Sequence, residues 1–152
     1  MQILVLPYRR APSSELQVAV FRRADYDLWQ FVSGGGEVGE TAEQAARREG
    51  FEEAGIPRDA SYSALASMTT IPACWFSAWA TWPKDLLVVP EHAFAVDVGE
   101  QPIRLSTEHL EFAWLSPAEA MQRLRFDSNR NALWELGERL TPGPRCKRPA
   151  YR

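Results

Sequence analysis
Residues Gly34–Ile56 read GGGEVGETAEQAARREGFEEAGI. A glycine-rich loop is followed by a run with helical periodicity, whose last two turns carry Glu49, Glu52 and Glu53. On a helix these stand at i, i+3 and i+4, so the carboxylates lean into one region. Like charges at that spacing repel, and the macrodipole at a helix C-terminus disfavours negative charge as well. Two penalties in one turn call for a compensating cation. A hard divalent metal held through oxygen is the simplest. The plainer alternative is a solvated acidic helix end neutralised by Arg47 and Arg48.

The helical wheel sharpens the choice. At about 100° per residue, Ala42, Ala45, Ala46, Glu49 and Glu53 fall on one stripe. The alanines let the helix lie close on a sheet, and the stripe then turns acidic along the packed face. Burying unpaired carboxylates is costly, and a metal between helix and loop removes that cost. Thr41 reads as the N-cap, with Gln44 completing a capping box. Gly55 suits a left-handed position after the helix, with Pro57 beyond it. Gly50 is out of place, since a mid-helix glycine costs about 1 kcal/mol against alanine. It predicts a close approach of the backbone to a neighbour.

The chain has 152 residues and a formal charge of −3. This size and balance predict a single domain over 1–152 with one core. The apolar start Ile3–Leu6 is too short for a secretory signal and runs into Pro7, Arg9 and Arg10. No apolar run approaches the ~18 residues of a membrane span. Cys74 and Cys146 lack metal-ligand spacing and read as free thiols of a cytoplasmic protein. Slight acidity argues against a nucleic acid polymer as partner. It does not argue against a nucleotide that arrives with metal.

Gln2–Tyr8 and Gln17–Arg22 read as strands joined through a turn at Arg10–Ser14. Trp29–Val32 reads as a short strand before the glycine loop, and residues 41–54 as the acidic helix. Tyr62–Thr70, Leu86–Val98 and His109–Leu115 read as strands, with a turn at Pro83–Lys84. Ser116 caps a helix starting at Pro117, and Asp127 or Ser128 opens a last helix to about Leu140. From Thr141 the chain loses periodicity and reads as a loose tail. Strands before and after a central helix, with helices at the end, predict an α/β/α sandwich around a mixed sheet.

The central stretch resembles the signature box of the Nudix hydrolases: G, five residues, E, seven residues, then R-E-U-x-E-E-x-G-U, with U aliphatic. Gly34, Glu40, Arg48, Glu49, Glu52, Glu53, Gly55 and Ile56 match it. Gly50 departs, standing where the family carries an aliphatic residue that packs the helix. The resemblance implies the sandwich fold and Mg²⁺, with Mn²⁺ as substitute, held by Glu49, Glu52, Glu53 and the Gly35 carbonyl. It implies that Arg48 orients a glutamate by ion pairing. Gly34, Glu40 and Gly55 take structural places, and Glu40 is favoured by the helix dipole in any case.

Asp27–Gln30, Ser106–His109 with Trp114, and Ser128–Ala132 are similar to one subgroup of that family, the dATP and dihydroneopterin triphosphate pyrophosphohydrolases. This implies hydrolysis of a nucleoside or pterin triphosphate to the monophosphate and pyrophosphate. It also implies that Glu108 is a further catalytic carboxylate, so the general base lies between Glu53 and Glu108. His109 either touches a phosphate or ends a strand. Trp29 either stacks on a base or fills the core. Asn129 either reads a base edge or bonds to backbone at a helix start. Arg22 and Arg23 end a strand near the expected phosphate side, and the Arg145–Arg148 run reads as solvated. Two alternatives stay open. One is a hydrolase of ADP-ribose or a dinucleoside polyphosphate, to which Pro72 lends weak support. The other is a sensor that binds nucleotide without turnover, which the three intact glutamates disfavour. The family analogy also suggests a homodimer.

Overall fold
The computed structural model describes residues 1–141 and 143. The Arg145–Arg148 run, Cys146 and most of the expected loose tail lie outside them. The strands are β1 (Gln2–Arg10), β2 (Leu16–Arg23), β3 (Trp29–Gln30), β4 (Val32–Gly35), β5 (Ser61–Pro72), β6 (Val88–Asp97) and β7 (His109–Leu115). The helices are α1 (Ala42–Ala54), α2 (Pro117–Arg123) and α3 (Asp127–Leu140). The sheet runs β3-β2-β1-β6-β5, with β4 also on β1 and β7 also on β2. β1 and β6 are parallel and the other pairs antiparallel, so the sheet is mixed.

Strand alternation sorts β1 between two cores. Ile3 and Val5 pack with Ala45, Ala46 and Ala54 of α1. Leu4 and Leu6 pack with Ala120 of α2, Leu124 just after it, and Ala132, Leu133 and Leu136 of α3. Helices on both faces of a mixed sheet make the expected α/β/α sandwich.

Local chemistry explains the element ends. Thr41 accepts from the Gln44 amide, and the Gln44 side chain accepts from the Thr41 amide. Gly55 sits at φ 68°, and the amides of Gly55 and Ile56 donate to the carbonyls of Phe51 and Gly50. Ser116 and Glu119 form a second capping box, with Pro117 opening α2.

Three expectations change. Residues 29–32 do not form one strand: Trp29–Gln30 pairs with β2, whereas Val32–Gly35 pairs with β1. Phe31 is the break, its amide donating to Asn129 Oδ1 at 2.9 Å. Gly34 and Gly35 therefore belong to a strand edge rather than to a loop. The Ala73–Leu87 connection holds two single-turn 3₁₀ segments, Ala73–Trp75 and Trp79–Thr81, besides the expected turn. Finally, β5 bulges between Ala64 and Met68. The Glu135 carboxylate of α3 accepts from the Ala66 and Ser67 amides there, at 2.7 and 2.6 Å.

Gly50 proves to be a close-approach glycine. A β-carbon there would lie 2.1 Å from the Tyr62 hydroxyl oxygen. Tyr62 of β5 fills the volume an aliphatic side chain would take, and its hydroxyl is buried without a partner among the described residues. Burial pushes that hydroxyl up to about 12. Gly50→Ala should therefore lower the melting temperature, because overpacking of about 1–3 kcal/mol outweighs the ~1 kcal/mol helix gain. In a Tyr62→Phe background the 2.1 Å contact is gone and the ring carbon stands 3.3 Å away, so the same change should cost clearly less. Calorimetry of the four proteins checks this coupling, and additive effects would contradict it.

Candidate active site
The acidic end of α1 lies against the strand carrying the glycines. Gly34 leaves the Glu49 carboxylate its place, since a β-carbon there would meet the carboxylate carbon at 2.0 Å and displace it. Glu49 and Glu53 are buried, at 8% and 3% exposure, whereas the Glu52 side chain is half exposed. The wheel stripe of alanines running into Glu49 and Glu53 is thus the packed face of the helix.

Arg48 gathers this end together. Its Nε and Nη2 donate to the two Glu40 oxygens at 2.9 and 3.0 Å. Nη1 donates to Glu49 at 2.7 Å and to Glu52 at 3.2 Å. Nη2 also donates to the Gly35 carbonyl at 2.7 Å. The guanidinium, with the Glu37 amide, holds Glu40 well below the usual carboxylate range, at about 2. Glu40 is thereby a structural clasp between loop and helix. Among the described residues no three acidic, histidine or cysteine side chains converge as a ready metal-holding group. Glu49 and Glu52 flank Arg48 instead.

One guanidinium does not neutralise this cluster. Burial, reinforced by Glu53 and Glu52 and opposed by Arg48, pushes the Glu49 carboxyl up to about 7. No basic residue stands in the last turn of α1 to offset it.

Glu53 has a different partner. His109, at the start of β7, meets Glu53 Oε2 through Nε2 at 2.8 Å. The imidazole is fully buried against Phe21, with ring centroids 5.1 Å apart. The loop before β7 docks on the same helix end, the Ser106 amide donating to the Glu53 carbonyl and the Arg104 amide to the Ala54 carbonyl. These bonds satisfy carbonyls that a helix C-terminus leaves open.

The remaining expected residues separate. Glu108 is half exposed and lies 3.9 Å from Arg23. Trp29 packs on the second core under the Arg123 guanidinium, which lies 5.0 Å from its ring. Asn129 is buried, its Oδ1 accepting from the distant Phe31 amide, and it lines the cleft described next. Arg22 pairs with Asp27 and Glu111, and Arg23 with Asp25.

A cleft of about 790 Å³ opens at the same end of the sheet. Its wall includes Gln2, Gln30, Ser33, Glu91, Asn129 and Arg23. Ser33 and Gly34 are consecutive in β4, so one side chain faces the cleft while its neighbour lies under Glu49. Reading the sequence missed Glu91. Its signal was available, because the acid occupies an alternation of buried positions at Val89, Ala93 and Ala95.

The raised Glu49 carboxyl yields a pH test. An unfolded glutamate loses its proton near 4.5, whereas folded Glu49 keeps it to about 7. Between these values the native state binds more protons, so stability falls as pH rises and levels off above. The loss is on the order of 3 kcal/mol. With chelator present, Glu49→Gln should melt higher than the parent protein at about pH 8 and lose this share of the pH dependence. A Gln variant that melts no higher would contradict the assignment.

The NUDIX domain family matches residues 5–135. The dihydroneopterin triphosphate diphosphatase of Escherichia coli is 33% identical over 135 residues, covering 88% of this chain and 89% of the relative. A Listeria monocytogenes protein assigned to the NUDIX hydrolases has a crystal structure with TM-score 0.83 and 40% identity, covering 92% and 93% of the two chains. The E. coli dihydroneopterin triphosphate pyrophosphohydrolase structure gives TM-score 0.71 at 30% identity, covering 87% and 90%. The glutamates of α1, the arginine that clasps them and the glycine strand beneath them are therefore the signature box of a chain that belongs to the Nudix hydrolases, enzymes acting on phosphorus-containing anhydrides.

Proposed function
We propose that this enzyme is a Mg²⁺-dependent pyrophosphohydrolase that cleaves a nucleoside or pterin triphosphate to the monophosphate and pyrophosphate. Nudix hydrolases generally use divalent metal ions and act on small-molecule nucleotide substrates. The observation that carries the reading is the reach of Arg48. One guanidinium spans Glu49, Glu52 and the Gly35 carbonyl, three hard oxygen donors that together seek positive charge. Mg²⁺ prefers such donors, and Glu49, Glu52 and Glu53 are the residues that would hold it, with the Gly35 carbonyl. When bound it supplies charge neutralisation on the phosphoryl oxygens. The name of the E. coli relative supports the triphosphate substrate.

The residues of the chain supply the rest. Water adds to phosphorus, a bridging P–O bond breaks, and pyrophosphate leaves with that oxygen. Glu53 accepts the proton of the attacking water, and His109 is the positioning residue that fixes its carboxylate. This geometry favours Glu53 over Glu108 as the base. Arg48 keeps Glu49 and Glu52 facing the glycine strand. The exposed free thiol of Cys74 accords with a reducing cytoplasm, and among the described residues no helix is long and apolar enough to cross a membrane.

A panel of nucleoside and pterin triphosphates with Mg²⁺ should yield pyrophosphate. Glu53→Gln should lower kcat by about 10²–10⁴-fold. His109→Gln should lower kcat and displace the pH–rate profile, which a purely structural histidine would leave in place. Absence of pyrophosphate from every substrate, or an unaffected Glu53→Gln, overturns the proposal. The rival cleavage of ADP-ribose gives AMP and ribose phosphate without free pyrophosphate, so product analysis separates the two.

A further inference from the structure
A second cation stands beside the acidic turn of α1, and the chemistry proposed above does not use it. Arg23 is the last residue of β2, and its partner across the ladder is His109, the residue that holds Glu53. The ladder bulges there, between Arg22 and Arg23. Bulges at strand ends re-aim side chains. The turn after β2 is tied to the turn before β7, the Ala24 amide donating to the Glu108 carbonyl at 2.9 Å. The Arg23 side chain is 20% exposed, so it is not a solvated surface arginine.

Three acids act on this guanidinium. Asp25 binds one edge, accepting from Nε at 2.7 Å and from Nη2 at 2.6 Å. Tyr26 stands behind it, with its ring centroid 5.9 Å from Cζ. Nη1 lies 3.9 Å from Glu108, too far for a hydrogen bond. The Asp25 hydrogen bonds push the guanidinium up against the cost of burial, and the charges of Glu108 and Glu53 add to them. A guanidinium has five N–H donors. Asp25 takes two of them, which leaves both protons of Nη1 and one of Nη2 for another acceptor. Arg23 also borders the main cleft, so a ligand can reach it.

We propose that Arg23 binds the non-bridging oxygens of the phosphate that water attacks, and that Asp25 is the positioning residue that keeps the free edge of its guanidinium available. This rests on the triphosphate reading above and names the group that receives the attacked phosphate. The attacking water is the one whose proton Glu53 accepts, and Arg23 flanks the histidine that fixes Glu53. The phosphorus beside that water is the one attacked. As the bond to the leaving group breaks, charge is spread over its three equatorial oxygens. A planar guanidinium pairs with two such oxygens at once. Held by Asp25 on the opposite edge, it loses little freedom when it does so.

Binding of monophosphates tests this without hydrolysis. Titration calorimetry of the full chain with dAMP and dGMP, in Mg²⁺, should show both weakened by the same factor in Arg23→Ala, about tenfold or more. Arg23→Lys, which keeps the charge and loses the fork, should fall between. Asp25→Asn should weaken both ligands by a smaller factor and add nothing once residue 23 is alanine. An Asp25 that only braces its turn would lower the melting temperature and leave the affinities in place. Unchanged affinity in Arg23→Ala overturns the proposal, as does a loss confined to one base or a parent protein that binds neither monophosphate. Should Arg23→Ala not fold, Arg23→Lys decides by the same criteria. Pyrophosphate release is not read in this assay, so failure here is distinguishable from failure of the triphosphate reading.

Discussion
The acidic turn of α1 holds its shape because Arg48 reaches across it. Without that guanidinium, Glu49 and Glu52 would repel each other at the wrong end of a helix dipole. Arg48 also fastens the turn to the sheet, through the Gly35 carbonyl, and to the preceding loop, through Glu40. Burial, which this guanidinium offsets only in part, keeps Glu49 from ionising up to about 7. Fully balanced, the same turn would have no further use for a cation. The fold thus keeps a cluster that is ordered by one positive charge and still short of another.

This arrangement depends on how tightly helix and sheet approach. The Glu49 carboxylate occupies the space of a missing β-carbon at Gly34, and the Tyr62 hydroxyl does the same at Gly50. The two glycines act on different surfaces of α1. One admits the functional carboxylate to the strand, and the other admits a tyrosine in place of a helix side chain. Replacing the family's usual aliphatic residue by glycine therefore preserves packed volume by moving it from the helix to the facing strand. Glu49 and Gly50, although adjacent in sequence, meet different neighbours, Gly34 and Tyr62.

What was legible in the sequence follows from what is local. Caps, the acidic triplet and the alternating strands rest on contacts within a few residues, and they appear where expected. The break at Phe31 was not legible because it is made by Asn129, 98 residues away. The β5 bulge was hidden for the same reason, since Glu135 comes from α3. Motif reading placed emphasis on Glu108, whereas the contact with Glu53 comes from His109 beside it. Glu108 lies in the turn just before β7, which opens at His109. Where a residue of such a turn points is set by contacts of the turn with the rest of the chain, which a motif does not display.

Glu49 and Glu91 raise one physical problem on opposite faces of the same sheet. Each is a buried carboxylate whose surroundings disfavour its charge. At Glu91 a hydrogen bond with Ser128 opposes the cost of burial. At Glu49 one guanidinium does so, while Glu53 and Glu52 add to it. Any ligand that binds only the folded state stabilises it through that same binding energy. A ligand that brought positive charge to the α1 turn would therefore meet groups already ordered to receive it, and the cost of keeping Glu49 buried would be linked to its binding.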